Sequence, residues 1–300
     1  MKQTFKTCNF RAPALEVIAQ ANVIINEYLA DGYDLTLRQL YYQFVSRGLI
    51  ANTQQEYSRL GDILSGARLA GMVDWDAIKD RTRNMVENSH WDDPAEIISS
   101  AASSFKLDTR LDQPCYIEVW VEKEALAGIV ERSSRLLDVP YFACRGYVSQ
   151  TAMYEAAMRM RAHRNKDIIV IHLGDHDPSG IDMTRDIEDR LNMFQCNITM
   201  ERIALNMNQV KQYNPPPNPA KLTDSRCRGY IQSYGNSSWE LDALDPKVID
   251  QLITNQVNRH TDQEKREALI EEQREHKEKL RTASDNWDVI ANFIDNMGDK

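Results

Sequence analysis

Between Cys115 and Leu205, short apolar runs alternate with amphipathic stretches of helical length, and nothing else in the chain restricts its fold so tightly. Cys115 to Val121, Val139 to Ala143, Asp167 to Leu173 and Asn197 to Leu205 read as strands. Glu124 to Leu137, Gln150 to His163 and Ile181 to Phe194 read as the helices between them. Strand, helix, strand in repetition predicts a doubly wound, mostly parallel sheet with helices on both faces. Such sheets carry their sites beyond the carboxyl ends of the strands.

Two strand ends stand out. The first strand delivers Glu122-Lys123 directly after Val121, and the third delivers Gly174-Asp175-His176-Asp177-Pro178-Ser179-Gly180. In a parallel sheet these ends share one edge, so Glu122, Asp175 and Asp177 are expected to converge. Alternate residues of an extended segment face the same way, which lets Asp175 and Asp177 serve one site. Clustered carboxylates repel one another unless a cation lies between them. Hard oxygen ligands suit Mg²⁺, with Mn²⁺ a further candidate, and point to phosphodiester chemistry. The competing explanation is that the two aspartates cap the next helix or bind loop amides.

Upstream, Ala14 to Leu29, Leu37 to Arg47 and Gln55 to Ala70 read as three helices, closed by Gly32, Gly48 and Gly71, with Thr36 as the N-cap of the second. An extended segment, Ile78 to Arg83, follows. This is the order of a winged helix-turn-helix, in which the third helix enters the DNA major groove. Its basic side chains, Arg38, Arg59, Arg68, Arg81 and Arg83, are the candidate DNA contacts, with Lys79 beside the last two. An ordinary helical bundle with a charged, solvated face fits the same pattern. On the second helix, Leu37, Leu40, Tyr41, Phe44 and Val45 form one stripe at about 100° per residue. Tyr41 lies inside it, whereas Tyr42 is expected outside it, facing solvent one turn after Arg38. A phenol there is either a nucleophile for a phosphodiester or a plain surface or interface tyrosine.

Charge then limits the options. The net charge is −9, and neither end of the chain nor its middle is basic, which excludes a protein that grips nucleic acid by bulk positive charge. Contact with a polyanion falls to a few placed arginines and to metal ions. Apolar runs no longer than Ile168-Ile169-Val170-Ile171 fall far short of the roughly 20 residues of a membrane span. The N-terminus lacks an apolar signal core, and five scattered cysteines contain no C-x-x-C pair. A soluble, cytoplasmic protein without membrane association is expected. The charged stretch from Asp262 to Arg281 reads as a long helix with a solvated face, or else as a dimer contact or strand-holding arm.

Taken in order, Leu37 to Tyr42, Glu122-Lys123-Glu124-Ala125-Leu126 and Asp175-His176-Asp177-Pro178-Ser179-Gly180 resemble the A subunit of topoisomerase VI and its relative, the meiotic double-strand-break transesterase. Arg145-Gly146-Tyr147 is similar to the family's glycine turn after the second strand. The resemblance covers Ala14 to Leu205, with Trp239 to Leu244 as a late addition. It implies an α/β multidomain protein: a winged helix-turn-helix (1–85), a connector (86–112), a Toprim domain (113–245) and a helical C-terminal extension (246–300). It also implies that Tyr42 attacks double-stranded DNA to leave a 5′-phosphotyrosyl link, while Glu122, Asp175 and Asp177 hold Mg²⁺ and Glu122 doubles as acid or base. A homodimer is implied, with the tyrosine of one protomer working on the acids of the other.

Two departures narrow this expectation. Ser179 stands where many topoisomerases carry the third acid of D-x-D-x-D. No segment resembles the ATPase subunit that drives strand passage, so any ATPase partner is unidentified. The chain looks like a short, stand-alone relative of bacterial or phage type, a type IIB topoisomerase A-subunit-like enzyme that cuts DNA. Two alternatives stay open: a Toprim nuclease that hydrolyses DNA or RNA without a covalent intermediate, and a non-catalytic winged-helix DNA-binding protein.

Overall fold

A computed structural model describes residues 2–78 and 88–298. The expected wing residues Lys79, Arg81 and Arg83 lie outside the described residues. The chain forms two compact units that interleave in sequence: Met1–Arg83 with Tyr116–Val257, and Asn84–Cys115 with Asn258–Lys300.

The first unit begins with α1 (Ala12–Ala30), α2 (Leu37–Ser46) and α3 (Gln54–Leu69). Thr36 caps α2 as expected: its Oγ1 accepts the Gln39 N–H, and Gln39 Oε1 accepts the Thr36 N–H at 2.8 Å. Ile18, Ala21, Ile24 and Ile25 of α1, Leu40 and Phe44 of α2, and Leu60 and Leu64 of α3 make one buried cluster. These side chains recur three and four apart, so each helix turns one apolar face inward. After a short 3₁₀ turn at Trp75–Ala77, Ile78 makes an isolated parallel bridge to Leu35.

In the second unit, α4 (Pro94–Ser104) comes between the two halves of the first. The first unit then resumes with β1 (Cys115–Val121), α5 (Ala127–Leu137), β2 (Tyr141–Ala143), α6 (Gln150–Arg161), β3 (Asp167–Leu173), α7 (Pro178–Met193) and β4 (Thr199–Ala204). The strands form a four-stranded sheet in the order β2-β1-β3-β4, and the β1–β2 and β3–β4 pairs are parallel. β1 and β3 sit in the middle, and Ile117, Val119, Trp120, Val121, Val170, Ile171 and Leu173 are buried. Burial on both faces is what an unbroken apolar run on a central parallel strand reports. β2 is shorter than expected because Pro140 has no N–H for the ladder; its carbonyl still accepts the Val119 N–H at 3.0 Å.

Central β1 also carries Glu118, which is 1 % exposed. Arg159 of α6 reaches it through two N–H groups at 2.8 and 2.9 Å, while the Tyr116 hydroxyl and the Trp120 indole donate at 2.8 and 2.9 Å. A carboxylate is tolerated at this depth because four hydrogen bonds, two of them from a guanidinium, replace its water.

Beyond the sheet come α8 (Met207–Tyr213), a two-stranded pair of β5 (Asn218–Pro219) with β6 (Ser237–Ser238), α9 (Cys227–Tyr234) and α10 (Pro246–Arg259). Within this unit α10 and the residue before it are tied to α1 and the turn that follows α1. Tyr28 donates to Asp245 at 2.7 Å, and Tyr33 donates to Asp250 at 2.9 Å.

In the second unit, α11 (Gln263–Asp285) lies along α4, and α12 (Trp287–Gly298) follows it. Ser284 donates to the Ala95 carbonyl and Lys277 to that of Ser103. The Gln113 amide clasps Asp262 through both its groups, at 2.7 and 3.0 Å. The charged stretch expected as a long helix with a solvated face is a helix with no buried residue, and it lies along α4. No helix among the described residues is long and apolar enough to cross a membrane.

Candidate functional site

The carboxyl ends of β1, β3 and β4 are stitched together by main-chain bonds. Glu122 N–H donates to the Leu173 carbonyl at 2.9 Å, and Gly174 N–H to that of Ala204 at 2.8 Å. This brings Glu122 against the loop Gly174 to Gly180. Glu122 Oε2 accepts the Asp175 N–H at 2.8 Å. Both glycines of the loop are required by close approach. A Cβ on Gly174 would lie 2.9 Å from Glu122 Oε2, and one on Gly180 would lie 2.3 Å from the Asp175 carbonyl oxygen. From β4, the Arg202 guanidinium holds the loop at both ends. It donates to the carbonyls of Gly174 at 2.9 Å, Asp175 at 2.6 Å and Gly180 at 3.0 Å.

Asp175 is buried, with Oδ1 accepting the Leu241 N–H at 2.8 Å and Oδ2 paired with Lys123 Nζ at 3.0 Å. Burial pushes its carboxyl up to about 7; the Lys123 ammonium opposes that shift, while the charges of Glu122 and Asp242 add to it. Burial likewise raises Glu122. Asp177 caps α7: its Oδ1 accepts the Gly180 N–H at 2.6 Å and the Ser179 hydroxyl at 2.9 Å. Capping is the simpler explanation offered for this aspartate by the sequence, and Asp177 does cap while also lining the pocket described below.

Leu241 belongs to Trp239 to Leu244, the late addition to the resemblance. Trp239 and His176 exchange two main-chain bonds, at 2.9 and 3.0 Å, which lays residues 239–242 along the acidic loop. Glu240 and Asp242 flank Leu241 at the start of the 3₁₀ turn Leu241–Ala243 and reach the same two cations. Both bind Lys123 Nζ, at 2.7 and 2.9 Å. Both also bind Arg38: Asp242 Oδ2 accepts from Nε at 2.5 Å, and Glu240 Oε2 accepts from Nη2. Burial favours protonation of Glu240, but Lys123 and Arg38 outweigh it and hold its carboxyl down to about 2. Burial disfavours the Lys123 ammonium, yet Asp175, Asp242 and Glu240 raise its pKa above the ordinary lysine range. Neither acid was expected as a site residue, although the spacing E-x-D was readable.

Tyr42 departs from expectation. It is 4 % exposed, not solvent-facing, and its ring packs edge-on against Tyr41 with centroids 5.3 Å apart. The stripe on α2 was read as covered from one side only. In fact the 3₁₀ turn Leu241–Ala243 packs on the helix as well, so Gln39, Tyr42 and Gln43 are buried too. Burial raises the phenol's pKa, and the charges of Asp242 and Glu240 raise it further. Arg38 Nη2 donates to the phenol oxygen at 3.3 Å. Tyr42, Arg38, Asp175, Asp177 and Glu240 line one pocket of about 250 Å³.

Of the other expected DNA contacts, Arg59 is exposed and pairs with Glu56 on its own helix at 2.7 Å. Arg68 is half-buried. It donates to the carbonyls of Trp75 and Ile78 and stacks over the Trp75 ring, because the chain leaving α3 folds back beneath it. Arg81 and Arg83 lie outside the described residues.

The donor chemistry of the acids suits a hard cation such as Mg²⁺, but their arrangement does not. Both Asp175 oxygens are engaged, and Glu122 and Asp177 each commit one oxygen to a main-chain N–H. Among the described residues, no three His, Cys, Asp or Glu side chains are grouped so as to hold a metal ion. Among the described residues, the Lys123 ammonium and the Arg38 guanidinium pair with acids of the cluster, and Arg202 holds the loop that carries Asp175. Fold and site therefore define an α/β protein whose parallel sheet presents an acidic edge to a buried tyrosine. No protein-family model matches the chain, and neither does any curated protein.

Proposed function

We propose that this chain breaks DNA strands by transesterification through Tyr42, with the winged-helix and Toprim architecture of the topoisomerase VI A subunit and as a homodimer. The observation that carries the reading is that Tyr42 lines one pocket with Asp175 and Asp177, the acids of the D-x-D loop. The helix order α1–α3 with the Leu35–Ile78 bridge supports the winged-helix part. The parallel sheet with acids beyond β1 and β3 supports the Toprim part.

In this reading Tyr42 Oη attacks a backbone phosphorus and the P–O3′ bond breaks. The phosphate stays on the tyrosine as a 5′-phosphotyrosyl, and the 3′ oxygen leaves as a hydroxyl after taking up a proton. The phenol's proton passes to a pocket carboxylate, and Arg38 orients the phenol oxygen. Mg²⁺, or Mn²⁺ in its place, is a requirement carried over from the resemblance and is assigned no position among these residues.

One observation favours hydrolysis instead: burial and two nearby carboxylates make the Tyr42 phenol a weaker acid, the opposite of an activated nucleophile. A single experiment separates the two. Supercoiled plasmid is incubated with the protein and Mg²⁺, quenched with detergent, and run with and without protease. Transesterification predicts cut DNA that enters the gel only after proteolysis, and none with Tyr42→Phe. Cutting at the wild-type rate by Tyr42→Phe refutes the covalent route.

A further inference from the structure

Building on that reading, we propose that Lys221 binds the DNA backbone at the Tyr42 pocket, its ammonium taking a phosphate that the pocket's acids repel. The pocket is lined by three carboxylates, Asp175, Asp177 and Glu240, and by two cations, Arg38 and Lys221. Arg38 is already matched: Asp242 Oδ2 accepts from its Nε at 2.5 Å, and Glu240 Oε2 accepts from its Nη2. Lys123, which pairs with Asp175, is shared by Glu240 and Asp242 as well. A phosphodiester is an anion, and with both of these cations engaged it meets a net acidic surface. Lys221 is different. It is exposed, and among the described residues none forms a hydrogen bond or ion pair with its ammonium. A lysine without an internal counter-charge serves a phosphate as a point charge.

The lysine stands on a fixed backbone. Ala220 N–H donates to the Asn236 carbonyl at 2.9 Å, and Asp224 N–H donates to that of Lys221 at 3.0 Å. β5, two residues before it, pairs with β6, and β6 runs straight into Trp239, whose main chain is bonded to His176 of the acidic loop. Asn218 of β5 adds side-chain ties: it accepts from Asn52 Nδ2 at 3.0 Å and donates to Glu240 Oε1 at 3.4 Å. Lys221 is therefore carried by the same scaffold as Asp175 and Asp177. The assignment is the same whichever protomer supplies the tyrosine.

The test is DNA binding by the full-length protein. Fluorescence anisotropy of labelled duplexes of several unrelated sequences is recorded without Mg²⁺ across a range of salt concentrations. Wild type is compared with Lys221→Gln, Lys221→Ala, Lys221→Arg and Lys211→Gln, each checked for folding by circular dichroism. Lys211 is an exposed lysine of α8 that does not line the pocket, so its variant matches the loss of charge. Both neutral variants at Lys221 are expected to lower the slope of log K against log salt by about 0.9, the share of one phosphate contact. The advantage of wild type over them then shrinks about 3.5-fold for a fourfold rise in salt, alike on every sequence. Lys221→Arg and Lys211→Gln are expected to keep the wild-type slope. An unchanged slope in the neutral variants, an equal drop in Lys211→Gln, or a loss that differs among sequences overturns the proposal. Because binding is read without cutting, the two readings fail separately. Wild type that forms adduct, with an unchanged slope in the neutral variants, overturns this inference alone. A lowered slope in those variants, with no adduct from wild type, overturns the transesterase reading alone. Wild type that binds no duplex overturns both.

Discussion

Replacing Lys123 by Met keeps most of the stem's packing and removes the ammonium that three carboxylates share. The size of the effect follows from what each carboxylate loses. Asp175 loses its cation, but its carboxyl already sits at about 7, so near neutral pH it takes up a proton at little extra cost. Glu240 and Asp242 matter more. Holding Glu240 at about 2 rather than 4.5 corresponds to about 3 kcal/mol, shared between Lys123 and Arg38. Asp242 loses one of its two cations at full burial, a further charge-assisted bond of about 1.5–3 kcal/mol. With Arg38 still in place, a loss of about 3 kcal/mol is expected at pH 7.

The sign with pH follows from the lowered carboxyl of Glu240. A depressed acid stabilises the fold above its unfolded value of 4.5, and that stability drains away as pH falls toward about 2. The gap between wild type and Lys123→Met is therefore expected to hold from pH 7 to pH 5 and to narrow below 4.5. Urea unfolding of the intact chain, followed by tryptophan fluorescence across that range, measures both. A variant within about 1 kcal/mol of wild type at pH 7, or a gap that does not narrow in acid, refutes the reasoning.

Other expectations follow from separate features. Gly180→Ala places a Cβ 2.3 Å from a main-chain oxygen, whereas Gly174→Ala meets side-chain atoms at 2.9–3.1 Å; thermal unfolding is expected to show the former as the more damaging by about 1 kcal/mol or more. Arg202→Gln removes the clamp on the loop, and hydrogen exchange at Asp175 and His176 is expected to rise about tenfold or more relative to β3 amides. His172 is fully buried and its imidazole is held down to about 3 by burial and by Arg202. A base with a lowered value stabilises the fold above its unfolded 6.5 and costs stability as pH falls toward 3. His172 thus contributes a loss of about 1.4 kcal/mol per pH unit between 6 and 4, opposed by the raised carboxyl of Asp175, and it is read as the change in slope between wild type and His172→Leu in urea titrations. Glu118→Gln is expected to cost about 1.5–3 kcal/mol by denaturant unfolding, since the neutral amide gives up charge-assisted bonding to Arg159, whose half-exposed guanidinium keeps water as a partner.

Much of the sheet was legible because an apolar run bounded by turn residues states both a strand and its ends. Glu122, Asp175 and Asp177 were found through those ends alone. Glu240 and Asp242 escaped attention because no apolar strand announces them, and their meaning depends on partners more than a hundred residues away. Arg202 and Glu118 were invisible for a related reason: a lone charge inside a strand looks like an exposed edge until four hydrogen bonds are seen to replace its water. Tyr42 shows the limit of helical periodicity. The wheel identifies the face that must be buried, and is silent on whether a second element covers the other.

The interleaving of the two units bears on how the chain is made. The stretch 88–115 leaves the ribosome early, but its helical partner α11 does not exist until the whole first unit has been translated. At bacterial or eukaryotic elongation rates that is a delay of roughly 10 s or more, during which α4 has only itself for company. Synthesis arrested after Val257 would release a chain whose first unit is complete and whose middle segment is an orphan. Quality control in the cell would then meet this protein first through residues that have no part in its proposed chemistry.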